Sequence, residues 1–328
     1  MWHASGMILL DDPVWPAHGT RFAHLVSDSN LWELHAFASG LGVPARAFDH
    51  DHYDIPESLV GRAEILGAER RPARELVTAL AAAGLRVRRP EKTPSVAVAV
   101  AGVREAWPLD GADGLRDELI AAWREPHRRY HDVRHLWTML GALRGLAETV
   151  PREVVLAAWF HDAVYRGVPG QDEEESAQWA LRALVEAGMP RGEASEVARL
   201  VRVTADHAPE EGDESGALVS DADLAVLGGA PGRYHVYLRD VREEYARVPD
   251  KAFRVGRLAV VEALLAQSSL FRTPEGRARW AHRAASNLTD ERTHPLSWLS
   301  SPRASEQGTY RLGLTRREGR APYRSQPS

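Results

Sequence analysis

Val154-Val155-Leu156-Ala157-Ala158-Trp159-Phe160-His161-Asp162 carries an unbroken apolar run straight into an imidazole and a carboxylate. The run is too apolar for a surface helix, so it predicts a helix buried inside a helical unit, with a polar pair at its edge. Left unpaired, that pair would cost several kcal/mol. A divalent metal removes the cost; so does a hydrogen bond to a neighbouring helix, and the dipeptide alone does not choose between them. Two other stretches add weight to the metal. Arg128-Arg129-Tyr130-His131-Asp132-Val133-Arg134-His135 puts two histidines four apart, on one face of a predicted helix. Ser220-Asp221-Ala222-Asp223 sets carboxylates at the start of the apolar segment 222–227, where each is a ligand or a helix cap. On a helix Asp221 and Asp223 point about 200° apart, so one of them faces the site.

Composition narrows the classes. The chain has 328 residues, 44% hydrophobic and 27% charged, enough for two domains with cores of their own. A formal charge of -5 argues against nucleic-acid binding through a basic body. No apolar run reaches membrane-spanning length, and Met7-Ile8-Leu9-Leu10 stops at Asp11-Asp12, too soon for a signal peptide; we read the chain as cytoplasmic. Without cysteine, the protein ligands open to a metal are His, Asp and Glu.

The expected organisation is α+β, a small α/β domain over residues 1–87 followed by an all-α domain over 113–290. In the first, 7–11 and 45–48 read as strands, 30–41 as a helix stopped by Gly42, and 72–83 as a helix stopped by Gly84. Residues 88–112 read as a linker, with an alternating Val/Ala stretch at 96–103 that suggests a short strand or extended connection. Helices are predicted at 115–123, 132–148, 152–165, 174–188, 193–206, 222–227, 233–247, 252–268 and 274–288. Residues 291–328 read as a basic, disordered tail; its last 26 hold six Arg against two Glu.

At the His, His-Asp and Asp stretches the chain resembles the HD-domain superfamily of metal-dependent phosphohydrolases. The likeness extends through Phe160-His161-Asp162-Ala163-Val164-Tyr165, Glu173-Glu174-Glu175-Ser176-Ala177, Asp221-Ala222-Asp223-Leu224, Arg242-Glu243-Glu244-Tyr245, Gly256-Arg257 and Ala284-Ala285-Ser286-Asn287-Leu288, which look like the bacterial predicted-phosphohydrolase branch. That resemblance implies an all-helical domain whose metal is held by His135, His161, Asp162 and an Asp, placed by the superfamily's Ala-Asp-x-Leu pattern at Asp223. The segment Tyr130-His131-Asp132-Val133-Arg134-His135 is also similar to the Tyr-His-Asn-x-x-His of cyclic-nucleotide phosphodiesterases, which implies His131 as general acid and His135 as ligand; Asp132 replaces the Asn. The N-terminal Met7–Pro13, Trp15–Gly19 and Asp49–Asp54 resemble a small bacterial family of uncharacterised function over about 7–87, which also suggests Met7 as the natural start.

The expected activity is hydrolysis of a phosphoester, nucleotide-like in character, by a metal-activated water with one or two ions of Mn, Mg, Co, Fe or Zn. A nonhydrolytic metal-containing sensor and an iron oxygenase are the alternatives. His207 is the single histidine between residues 162 and 223, whereas diiron oxygenases with this core use two there, which favours hydrolysis. His207 is a candidate second-metal ligand or phosphate contact, or the polar end of its helix. Arg128, Arg134, Lys251 and Arg257 are candidates to grip phosphate, and each is also readable as a surface cation. Glu174 is a candidate to order a metal-bound water, while Asp172 and Glu173 read as favourable charge at a helix N-terminus. His18, His24, His50 and Asp51 suggest a second metal or phosphate site, without a fixed ligand spacing.

Overall fold

Ile8-Leu9-Leu10 is buried along its whole length, as a strand in the middle of a covered sheet must be. The computed structural model describes residues 6–92 and 94–294. The chain is α+β overall, a small N-terminal α/β region followed by a mostly helical part. In the first region a five-stranded sheet runs in the order β2-β3-β1-β5, with β4 on β3; the strands are β1 (Ile8–Leu10), β2 (Trp15–Ala17), β3 (Thr20–Ser27), β4 (Tyr53–Pro56) and β5 (Glu69–Arg70). The β1–β5 pair is parallel and the other pairings are antiparallel. Helices α1 (Leu31–Leu41), α2 (Glu57–Ile65) and α3 (Ala73–Ala82) pack on it. Asn30 caps α1 by accepting from the Glu33 N–H at 2.8 Å, and Gly42 ends it at φ 84°, a conformation glycine adopts without penalty.

Two expectations for this half are corrected. Residues 45–47 form a 3₁₀ turn, because the N–H groups of Ala47 and Phe48 close back on Pro44 and Ala45 instead of joining a ladder; the strand lies at β4. The Val/Ala stretch at 96–103 in the expected linker, read as a short strand or an extended connection, is helix α5 (Val96–Glu105), preceded by α4 (Arg89–Lys92). Ser95 caps α5, and its buried residues Ala99 and Val103 stand four apart, the helical spacing, so the Val/Ala alternation misleads. Both residues belong to the core of the helical part.

That part continues with α6 (Asp113–Ala122), α7 (Val133–Leu146), α8 (Arg152–Phe160), α9 (Gln171–Glu186), α10 (Arg191–Val203), α11 (Glu214–Asp223), α12 (Pro231–Glu244), α13 (Asp250–Ala266), α14 (Pro274–Gly276) and α15 (His282–Thr293). A 3₁₀ turn at Leu224–Gly228 follows α11, and a π-helical turn at Arg277–Ala281 joins α14 to α15. Helix α8 is the axis of the bundle: Leu156 to Phe160 are all fully buried. Trp123 fixes its end by donating from Nε1 to the Trp159 carbonyl at 2.9 Å. The predicted helix 152–165 therefore stops at Phe160, and the next residues turn away and carry the site. Helix α15 runs to Thr293, beyond the expected start of the tail at 291; residues 295–328 lie outside the described residues.

The two regions are packed together. Trp32 of α1 sits in a core formed by the last helices, with Leu227, Tyr234, Val261, Phe271 and Leu288. Gly232 permits this approach: a Cβ there would stand 2.2 Å from the Leu85 carbonyl oxygen. No helix among the described residues is long and apolar enough to cross a membrane.

Candidate metal centre

Helix α7 starts one residue after Asp132, whose carboxylate accepts from the Arg134 N–H at 2.8 Å. This cap sets the phase of the first turn, so His135 points into the bundle toward the end of α8. His135 Nε2 lies 3.2 Å from His161 Nε2 and 3.0 Å from Asp223 Oδ1. His161 Nε2 is also 3.1 Å from Asp162 Oδ2 and 3.7 Å from Asp223 Oδ1. His135, His161 and Asp223 thus offer three atoms within 4.8 Å of one another, with Asp162 beside His161, and both imidazoles are buried.

The donor set fits a divalent cation. His161 donates from Nδ1 to the Ala158 carbonyl at 2.9 Å, which leaves Nε2 of the neutral ring with its lone pair facing the cluster. Two imidazole nitrogens 3.2 Å apart in a buried site either share a proton in a hydrogen bond or face a common cation. The electrostatics agree. Burial pulls the His161 imidazolium down, but Asp162 and Asp223 outweigh it and hold the ring at about 9. Against the cost of burial, His161 and His135 keep the Asp223 carboxyl well below the usual carboxylate range, and His161 does the same for Asp162. The pocket is built to hold positive charge, and a divalent ion would take the place of the protons. Nitrogen and carboxylate ligands without sulfur suit Mn, Fe, Co or Zn, with fewer reasons for Mg.

Around this cluster lie two cavities, one of about 750 Å³ and one of about 200 Å³, both bordered by His131, His207 and Asp223. Asp162 lines the smaller. Val226, Leu227, Val241, Phe253, Val260 and Leu264 give the larger one apolar walls, and Tyr237 and Tyr245 border it too. His131 stands apart from the metal cluster. Its Nδ1 meets Glu244 Oε1 at 2.5 Å, and its ring stacks on Tyr165 with centroids 4.3 Å apart. The other Glu244 oxygen accepts the backbone N–H groups of Arg129, Tyr130 and His131 at 2.8–3.1 Å, so one buried carboxylate holds both the loop and the ring. Burial disfavours the imidazolium, yet Glu244 and Asp162 more than offset this and raise its pKa. His207 follows α10 at φ 54°, a left-handed conformation uncommon for a side chain of this size, with Nε2 3.7 Å from Asp223 Oδ2. Burial lowers its pKa and favours the neutral ring a ligand needs.

Several candidates sit elsewhere. Asp221, two residues from Asp223 and so on the opposite side of α11, is fully buried and accepts from the Arg272 N–H and from the N–H and hydroxyl of Thr273 at 2.7–2.8 Å; it anchors a loop. Asp223 itself ends α11 and does not begin a helix, the reverse of the expected placing. The Arg128 guanidinium is spent on the carbonyls of His131, Asp162 and Ala163 and on Glu125, a brace that holds the His-Asp turn against the loop before α7. Arg134 pairs with Asp132 beside a separate cavity of about 130 Å³. Arg257 lines the large cavity, but Glu291 and Tyr237 occupy its guanidinium, so it shapes the wall. Lys251 is exposed on α13 and borders neither cavity. Glu174 pairs with Arg202 on the surface; the carboxylate that borders the small cavity is Glu173 in the first turn of α9, which accepts from the Gly170 N–H at 2.6 Å. Asp172 is buried and accepts from the backbone of Arg166 and Val168.

Glu244 was the main omission. Residues 243–245 stand out in the sequence, but nothing local says which glutamate meets a histidine 113 positions earlier. In the N-terminal region, His18 borders a shallow surface pocket, and His50 pairs with Asp49 and Arg239. Neither joins the other histidines. No curated protein and no solved structure matches the chain. What is matched is the N-terminal region, where residues 8–83 fit the family described as a protein of unknown function (DUF4031).

Proposed function

We propose that the helical part is a divalent-metal-dependent phosphohydrolase of the HD type, acting on a phosphoester with a nucleotide-like body. The observation that carries this reading is the convergence of His135, His161, Asp162 and Asp223 beside a histidine that is held separately, His131. His135, His161, Asp162 and Asp223 would hold the cation, with His207 close enough to Asp223 to serve a second. When bound, such an ion supplies Lewis acidity and a water acidic enough to lose its proton near neutral pH. The chain does the rest. Glu244 orients His131 and stabilises its protonated form, so the ring can give a proton to a leaving oxygen at the cavity edge. Tyr165 keeps the ring from rotating. The apolar walls of the large cavity exclude water and suit the flat, weakly polar face of a base. Among the described residues no guanidinium or ammonium lining that cavity is free to grip a phosphate chain, since Arg257 is committed; the phosphoryl group would depend on the metal cluster and on the backbone around it.

The test is phosphate release from a panel of nucleotides and other phosphoesters by full-length protein loaded with Mn²⁺, Mg²⁺, Co²⁺, Fe²⁺ or Zn²⁺. Turnover that disappears in Asp162→Ala, with the fold retained by circular dichroism, supports the reading. Tight ligand binding without any product would make the protein a sensor. Substrate loss coupled to oxygen uptake would make it an oxygenase.

A further inference from the structure

The N-terminal region holds a second group of histidines whose geometry the proposed hydrolysis does not use. Strand register builds it. His24 on β3 stands directly opposite Asp54 on β4, so their side chains rise from one face of the sheet. His52 precedes Asp54 by two, which puts it on the same face. The two imidazoles meet edge to face, centroids 5.1 Å apart.

Each ring is fixed from behind by a buried carboxylate. His24 Nδ1 is 2.7 Å from Asp11 Oδ2, and Asp11 also accepts the His24 backbone N–H at 2.6 Å. His52 Nδ1 is 2.7 Å from Asp51 Oδ1, while the other Asp51 oxygen accepts from the Val87 N–H and Arg86. A ring that donates from Nδ1 to a carboxylate presents a basic lone pair at Nε2, the arrangement that backs metal-bound histidines. Both Nε2 atoms aim at the same carboxylate oxygen, Asp54 Oδ1, at 3.9 and 3.6 Å, too long for hydrogen bonds. Among the described residues Asp54's carboxylate makes no hydrogen bond, although these two rings are its neighbours. Three donor atoms thus lie within 4.8 Å of one another. With neutral rings, the carboxylates of Asp11, Asp51 and Asp54 against the single cation of Arg86 leave two negative charges.

We infer that His24, His52 and Asp54 form a second metal site, which takes Zn²⁺ or another borderline divalent transition metal. A two-histidine, one-carboxylate set without thiolate selects such ions over Ca²⁺ and Mg²⁺. Asp54 is half exposed and His24 partly so, which leaves coordination positions open to solvent. That is the pattern of an exchangeable or reactive site; a structural zinc is closed by four protein ligands.

The experiment compares chelator-stripped full-length protein with Asp54→Asn and His52→Gln. Zn²⁺ is titrated by calorimetry, and Co²⁺ absorption gives a second readout. Asp54→Asn changes one exposed side chain, so loss of binding in it reports the site and not the fold. Each variant is expected to bind one equivalent less than the parent at micromolar free Zn²⁺, and His161→Ala is expected to keep that equivalent while losing the one in the helical part. The same stoichiometry and affinity in Asp54→Asn and the parent would overturn the inference, as would filling only at millimolar Zn²⁺. Phosphatase activity is not a readout of this test, so its outcome is separate from that of the proposed hydrolysis.

Discussion

The two His/Asp clusters use the same residue types and are built in opposite ways. In the helical part the proposed ligands are brought together by three helix ends, the rings are buried, and His161 is oriented by a main-chain carbonyl. In the N-terminal sheet the proposed ligands come from β3, β4 and the residue before β4, the group faces solvent, and buried side-chain carboxylates orient both rings. A helical bundle surrounds its centre with apolar side chains, so ligands placed there are desolvated and their charges interact strongly. A sheet face exposes its ligands, and precision has to come from carboxylates packed behind them. The first design suits activating a water in a dry cavity, the second suits an ion that exchanges.

The largest effect should follow from breaking the helical cluster. Asp162→Ala is expected to lower turnover about a thousandfold, or ~4 kcal/mol, while leaving Zn²⁺ binding at the sheet unchanged. Steady-state kinetics alongside calorimetry separates the two regions. Next comes the contact that joins them. His235 of α12 is buried against Trp32 of α1, ring centroids 4.7 Å apart, and burial lowers its pKa to about 4. The unfolded chain takes up this proton below about pH 6.5, whereas the folded chain resists it until near pH 4. Stability from the neutral ring is therefore full above pH 6.5 and lost as pH falls toward 4, up to about 3 kcal/mol. Urea melts from pH 7 to 4.5 should show this decline, and His235→Phe should flatten it.

Smaller effects are expected from the residues that orient the rings. Glu244→Gln keeps an acceptor for the loop but not the charge, and should reduce kcat by about 10- to 100-fold with KM little changed. On the sheet, Asp11→Asn should weaken Zn²⁺ binding by about 10- to 100-fold without affecting phosphate release. Equal losses of both activities in either variant would mean that the clusters are coupled, and the contrast drawn above would fail.

Much of the helical site was legible because its residues mark element ends. Asp132 caps α7, and His161-Asp162 follow the fully buried end of α8, but it was the resemblance to HD-type phosphohydrolases that grouped His135, His161 and Asp162. Spacing left the choice between Asp221 and Asp223 open, and only the resemblance assigned it to Asp223. It depends on which side of α11 faces α7, and the loop at Arg272–Thr273, which claims Asp221, lies about fifty positions away. The cations were left between two readings for a similar reason. Arg128 and Arg257 look like phosphate ligands in a sequence, but buried carbonyls and Glu291 satisfy them first. In the sheet, six early histidines gave no fixed spacing: of the residues grouped, His24 and Asp51 lie in the cluster and His18 and His50 stand apart, while Asp54, not among those candidates, faces both rings.

The amino-acid sequence by itself determined the division into a small α/β region and a helical one, most of the helices, and the ligand types on offer. Those features depend on local periodicity, caps and composition, which a chain expresses within a few turns. Tertiary structure alone decided which acid partners which ring. Glu244 under His131 and Asp54 before His24 and His52 are pairings across distant or opposed elements, and they are fixed by packing and strand register, which no local pattern records.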